Sequence, residues 1–154
     1  MTMFGSQWLA NAGGGYDIDQ SIRFNDDDSA YLTRTPGSAG NQRTFTFSTW
    51  VKFCTIKADN TLFSSWIASG ASAYALIYID SSFKLRFEDQ NNTKIITTQV
   101  FRDTSAWYHV VVRVDTTDTT SGDRYQMYIN GSRVTSFTTE TQPAVNYQTN
   151  VNKT

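Results

Sequence analysis

The chain has 154 residues, enough for one domain with a real core, and is 39% hydrophobic and 14% aromatic. Its net charge of −1 offers no bulk attraction to a polyanion, so no nucleic-acid partner is expected. No apolar run reaches the roughly 18 residues of a membrane span, and residues 1–7 lack the basic and apolar regions of a secretion signal. The expectation is a soluble protein made in the cytosol.

Residues 1–20 read as an arm, with Gly13-Gly14-Gly15 as its joint and Phe4, Trp8 and Leu9 as candidates for docking on a partner. Residues 21–24 and 30–34 read as short strands around the turn Asn25-Asp26-Asp27-Asp28-Ser29. In residues 44–53, Phe45, Phe47, Val51 and Phe53 alternate toward a core. Trp50 is then left on the other face, where it is either covered or lines a surface groove. Cys54, the lone cysteine, reads as a small buried hydrophobe and permits neither an internal disulfide nor a thiolate cluster.

Residues 62–67 form another short apolar run. Residues 74–79 and 83–87 read as a hairpin across Asp80-Ser81-Ser82, with a two- or three-residue loop equally compatible with the apolar pattern. Residues 94–100 continue the strands, and 103–134 give the best-specified stretch. There Val110, Val112 and Val114 share one face, and Asn130-Gly131 is the strongest short signal for a type I′ hairpin. That turn sets Met127 opposite Val134. Threonine far outnumbers leucine and no segment has helical period, so the fold class is all-β, an antiparallel sandwich.

Chemistry is sparse. His109, the only histidine, sits in mid-strand with no nucleophile-elbow motif, so it reads as structural. The two glutamates are Glu88 and Glu140, and the adjacent Glu88 and Asp89 point to opposite faces of a strand. That placement argues against the paired carboxylates of a glycosidase, and no enzymatic activity is expected. The acidic run raises calcium as the one candidate cofactor, with Asp26 and Asp28 as its ligands. Trp66, Tyr74, Tyr78, Trp107 and Tyr108 are candidates for stacking on sugar faces, against the alternative that each packs in the core.

Taken in order, Ile22-Arg23-Phe24-Asn25, Asp28 to Leu32, Phe45 to Lys52, Trp107 to Asp115 and Met127 to Gly131 resemble a laminin-G-like, concanavalin A-like jelly roll. The resemblance implies a domain over residues 21–137, an arm over 1–20 and a polar extension over 138–154. Family domains continue into further closing strands. The resemblance therefore leaves three alternatives: those strands are lost, belong to a longer chain, or come from a neighbouring subunit. The narrower wording Phe24-Asn25, Ser29 to Pro36 and Gly40 to Thr44 is similar to laminin-G-like domains in structural proteins of marine tailed bacteriophages. What that implies is a virion structural protein of a tail fibre, spike or capsid-decorating appendage, made in the host cytoplasm. Its expected partners are copies of itself, other virion proteins and host-surface glycans. The alternative is a carbohydrate-binding module of a bacterial extracellular protein.

Overall fold

The computed structural model describes residues 21–55, 57, 59–66, 74–90 and 93–153, without the side chains of Asp26 and Thr93. Phe4, Trp8 and Leu9 lie outside the described residues. The chain divides into two units, residues 1–35 and 36–154. In the first, residues 21–35 form no strand, in contrast to the two expected there. A strand is stabilised by its ladder, and within this unit the described residues make none. Asp26–Asp28 instead form a single 3-10 turn, and the Asn25 amide donates to Asp28 Oδ2 at 2.7 Å.

The second unit is a sandwich of two antiparallel sheets. The strands are β1 (Thr44–Val51), β2 (Asn60–Trp66), β3 (Tyr74–Ile79), β4 (Lys84–Asp89), β5 (Thr93–Val100), β6 (Tyr108–Asp115), β7 (Tyr125–Ile129), β8 (Ser132–Arg133) and β9 (Phe137–Thr141). One sheet has the order β1-β6-β7-β8, the other β2-β3-β4-β5-β9. Period-two burial explains both. Val110, Val112 and Val114 of β6 and Met127 of β7 pack with Ile77 and Ile79 of β3 and Leu85 and Phe87 of β4 in the core. Each such side chain contributes about 1.5–3 kcal/mol by leaving water. Phe87 meets Tyr125 edge-on at 4.9 Å, and Phe47 meets Phe63 at 5.6 Å, so the rings tie one sheet to the other.

The Asn-Gly hairpin forms as its sequence predicts. Asn130 and Gly131 take φ of 50° and 81°, and Val134 N donates to Met127 O at 2.9 Å. The β3–β4 register differs from both expected forms. Ile79 pairs with Leu85 and Ile77 with Phe87, placing the turn one residue later, at Ser81-Ser82-Phe83. Phe83 adopts φ 62°, a conformation phenylalanine rarely signals. It is held there by Asp80, whose carboxylate accepts from Ser82 N at 2.8 Å and Lys84 N at 3.1 Å. Cys54, expected to be buried, is exposed just beyond the end of β1.

The largest correction concerns residues 138–154. The boundary at Phe137 falls at the start of β9, which pairs with β5 through Lys94–Thr141 and Ile96–Thr139. The segment after it is part of the packed unit: Thr149, Asn150 and Val151 are buried. Its polar residues serve backbone groups that would otherwise lack partners. Thr116 Oγ1 donates to Tyr147 O at 2.7 Å, Thr149 Oγ1 to Gln42 O at 2.8 Å, and Gly40 N to Asn152 O at 2.8 Å. At Gly40 a Cβ would lie 3.2 Å from Asn152 Cβ, so the close approach favours glycine.

Candidate functional site

On β3 and β4 the residues of core parity are Ala75, Ile77, Ile79, Leu85 and Phe87, so Tyr74, Tyr78, Arg86 and Glu88 belong to the opposite, outer face of the five-stranded sheet. β2 adds Trp66 to that face by pairing it with Tyr74. The two rings stack at 5.4 Å with 15° between planes, leaving Trp66 61% exposed as a flat platform. Beneath it, Tyr74 OH donates to Glu88 Oε1 at 3.2 Å. Glu88 is only 3% exposed, and its other oxygen is in an ion pair with the Arg86 guanidinium. Arg86 in turn lies 5.5 Å from the centroid of the Tyr78 ring.

These contacts make one connected constellation, Trp66–Tyr74–Glu88–Arg86–Tyr78. Its electrostatics keep both phenols protonated. Burial first, then the Glu88 charge, pushes Tyr74 upward, and the same order of causes takes Tyr78 up to about 12. The face therefore offers the exposed Trp66 plane, the half-buried Tyr78 hydroxyl and the half-buried Arg86 guanidinium, over a buried Tyr74–Glu88 pair. That set suits stacking on an apolar sugar face while bonding its hydroxyls. Among the described strand positions of this face, Glu88 is the single carboxylate.

The five sequence candidates separate in space. Trp66, Tyr74 and Tyr78 come together. Trp107 precedes β6 in the other sheet and is 51% exposed. Tyr108 is buried in the core against Phe53 at 6.1 Å and Phe101 at 5.2 Å, so the alternative of core packing holds for it. For calcium, Asp28 is taken up by Asn25, and no group of three acidic, His or Cys side chains suited to a metal occurs among the described residues. A shallow groove of about 320 Å³ lies between Thr98-Gln99 of β5 and the β7–β8 hairpin, and none of the five candidates lines it.

One part of this arrangement, Arg86, escaped the sequence reading. Arg86 joins the constellation because Lys84, Arg86 and Glu88 alternate with Leu85 and Phe87, a pattern visible in the sequence. Trp50, the residue expected to be covered or to line a groove, is 50% exposed and stacks on its β6 partner His109 at 4.9 Å and 17°. His109 Nε2 and Ser48 Oγ are 3.0 Å apart, which gives the histidine an ordinary structural partner.

Searches of curated proteins and of solved structures returned no significant match. A laminin-G-like family model described as the concanavalin A-like lectin/glucanases superfamily matches residues 25–152. The match runs from the acidic turn through β9 and into the buried C-terminal segment, past the boundary expected at Phe137. Domains of this kind are typically binding modules, although some members of the superfamily are enzymes. With most of its length inside the match, and with the two antiparallel sheets of a jelly roll, this chain belongs to the laminin-G-like family of the concanavalin A-like lectin/glucanases superfamily.

Proposed function

We propose that the chain is a non-enzymatic glycan-binding module of a bacteriophage virion structural protein, carried on a tail fibre, spike or capsid appendage. The outer face of the five-stranded sheet reads host-surface sugars. The observation that carries the binding role is the exposed Trp66 plane stacked on Tyr74 directly beside the Glu88–Arg86 pair. Glu88, the single carboxylate among the described strand positions of this face, is buried and held by Tyr74 and Arg86, which supports recognition over hydrolysis by two acids facing across the sugar. The virion setting is supported by the wording of residues 29–36 and 40–44, similar to domains of marine tailed-phage structural proteins.

A glycan array followed by titration of the best sugar tests the binding role. Trp66→Ala should weaken affinity about five- to thirtyfold, since stacking of a ring on an apolar face is worth roughly 1–2 kcal/mol. Glu88→Gln should also weaken it, by releasing Arg86 and Tyr74 from the buried carboxylate that positions them. If Trp107→Ala abolishes binding and Trp66→Ala does not, the site is on the other sheet and this reading is wrong. Detection of the chain by mass spectrometry in purified particles tests the virion setting; its consistent absence would count against that part alone.

A further inference from the structure

Charge is spread unevenly along the outer face of the five-stranded sheet. Among the described strand positions that face carries three cations, Lys84, Arg86 and Lys94, against the single carboxylate of Glu88. Glu88 is held by the Tyr74 hydroxyl and the Arg86 guanidinium, so this buried pair presents no net charge. Lys84 lies toward the Tyr78 end, where its Nζ donates to Thr138 Oγ1 at 2.9 Å and the Asp59 and Asp80 charges that act on Tyr78 offset it. Lys94 is different. It stands opposite Glu88 in the β4–β5 register, where opposite charges ordinarily pair, yet Glu88 is turned to Arg86. Its half-buried side chain has no hydrogen bond or ion pair among the described residues. Two other acids stand near it in the sheet, and neither compensates it. Asp89 faces the core side and is bonded to Asn150, and Glu140 pairs with the core residue Ile95 and is bonded to Gln142. The connections 67–73 and 91–92 at this end contain no charged residue. An ammonium is therefore left uncompensated on the half of the face that holds Trp66.

We propose that the ligand of this face is an acidic glycan, one sugar of which stacks on Trp66 while a carboxylate or sulfate further along the same chain is bound by Lys94. The inference rests on the sugar reading of this face and narrows it to a chemical class. β2 and β5 are three strand spacings apart, about 14 Å, so the two contacts fall on different rings of an oligosaccharide. A neutral chain lying across the face strips water from the Lys94 ammonium and gives it only a weak partner, whereas an anionic group answers it with a charge-assisted hydrogen bond. The ammonium is a point charge with rotatable donors and takes either acid. Arg86, whose planar fork favours a carboxylate, is already held by Glu88. The arrangement thus selects for negative charge, at one place along the glycan.

The test is a glycan array that holds the same backbones in paired forms, each uronate beside its carboxyl-reduced counterpart and each sulfated chain beside its desulfated one, with titration of the best binder. Acidic members should bind best. Reducing or desulfating the best of them should weaken affinity about tenfold or more, the scale of a hydrogen bond to a charged group, and the form that binds identifies the acid. Lys94→Gln should cause the same loss for the acidic form and leave the neutral form unchanged, so the preference disappears. Lys94→Arg should keep the preference, which separates loss of charge from loss of folding. Added salt should weaken binding by the parent chain more than by Lys94→Gln. A neutral best binder, or a preference for acid that survives Lys94→Gln, overturns the proposal, and the sugar reading then stands if Trp66→Ala still weakens binding. Binding to no sugar, or binding indifferent to Trp66→Ala, refutes the sugar reading itself and this inference with it.

Discussion

Asp89→Asn isolates the one buried carboxylate that anchors the C-terminal segment. Asp89 is fully buried and accepts from Asn150 Nδ2 at 2.7 Å and from Asn150 N at 3.2 Å. Burial lifts its carboxyl from 3.8 to about 6, although the Asn150 amides and the Tyr147 hydroxyl pull the other way. A raised acid holds its proton more tightly in the folded state than in the unfolded chain. Its stabilising contribution is therefore complete below the unfolded value near 3.8 and is lost as pH rises through about 6. A shift of roughly 2 units at ~1.36 kcal/mol each gives about 3 kcal/mol lost between pH 4 and pH 7. In the amide variant Oδ1 still accepts from Asn150, Tyr147 can turn to accept, and no proton is taken up. Urea unfolding of both proteins from pH 4 to pH 7 should show the variant gaining about 3 kcal/mol relative to the parent. Asp103, Asp115 and Asp123 are held below their ordinary range by Ser105, Thr117 and Arg133 respectively, so they lose stability as pH falls. They do so in both proteins and cancel in the difference. Parallel curves across the whole range would refute the reasoning.

The remaining predictions address the anchor, the core and the turn. Asn150→Ala removes a bond to a buried carboxylate as well as the bond from Nδ2 to Tyr74 O, and should cost about 3 kcal/mol in urea unfolding at pH 7. Tyr108→Ala opens a cavity between Phe53 and Phe101 and should cost about 3–5 kcal/mol, whereas the exposed Trp107→Ala should stay within about 0.5 kcal/mol by the same measurement. Gly131→Val places a β-branched residue at φ 81° and should lower the thermal midpoint by an amount equivalent to more than about 1 kcal/mol.

What could be read from the sequence was what local physics dictates. The β6 alternation and the Asn-Gly turn specify their own strands, and both appear as expected. The opposite orientations of Glu88 and Asp89 also follow from period two alone. The turn at Phe83 was hidden because its driver is Asp80 capping two amides, while phenylalanine gives no sign of accepting a positive φ. The C-terminal segment was misjudged for a related reason. Fading hydrophobicity reads as solvent exposure, yet Thr149 and Asn150 are buried because distant carbonyls and a carboxylate need their donors. Pairs such as Gln42 with Thr149 are separated by most of the chain, and no local pattern announces them. Tyr108 and Trp107 are adjacent and equally aromatic, and the period-two face shared with Val110, Val112 and Val114 sends Tyr108 into the core, a consequence of the alternation that the sequence already carried.

That register logic also connects the outer aromatic face to the C-terminal anchor. Glu88 and Asp89 are consecutive in β4 and face opposite ways, one bonded to the Tyr74 hydroxyl and the other to Asn150. Asn150 reaches both strands that carry the aromatic stack. Its side chain donates to Tyr74 O at 3.3 Å on β3, and its own carbonyl accepts from Ser65 Oγ at 2.8 Å on β2. Trp66 follows Ser65, so a single buried asparagine holds the Tyr74 backbone on β3 and the Ser65 hydroxyl beside Trp66 on β2. A platform whose rings lie 5.4 Å apart tolerates little relative movement of its two strands. The polar C-terminal segment thus works as the clamp on the outer face, and if that face binds sugar as proposed, Asn150→Ala should lower the affinity measured by titration while leaving Trp66, Tyr74, Tyr78, Arg86 and Glu88 in place.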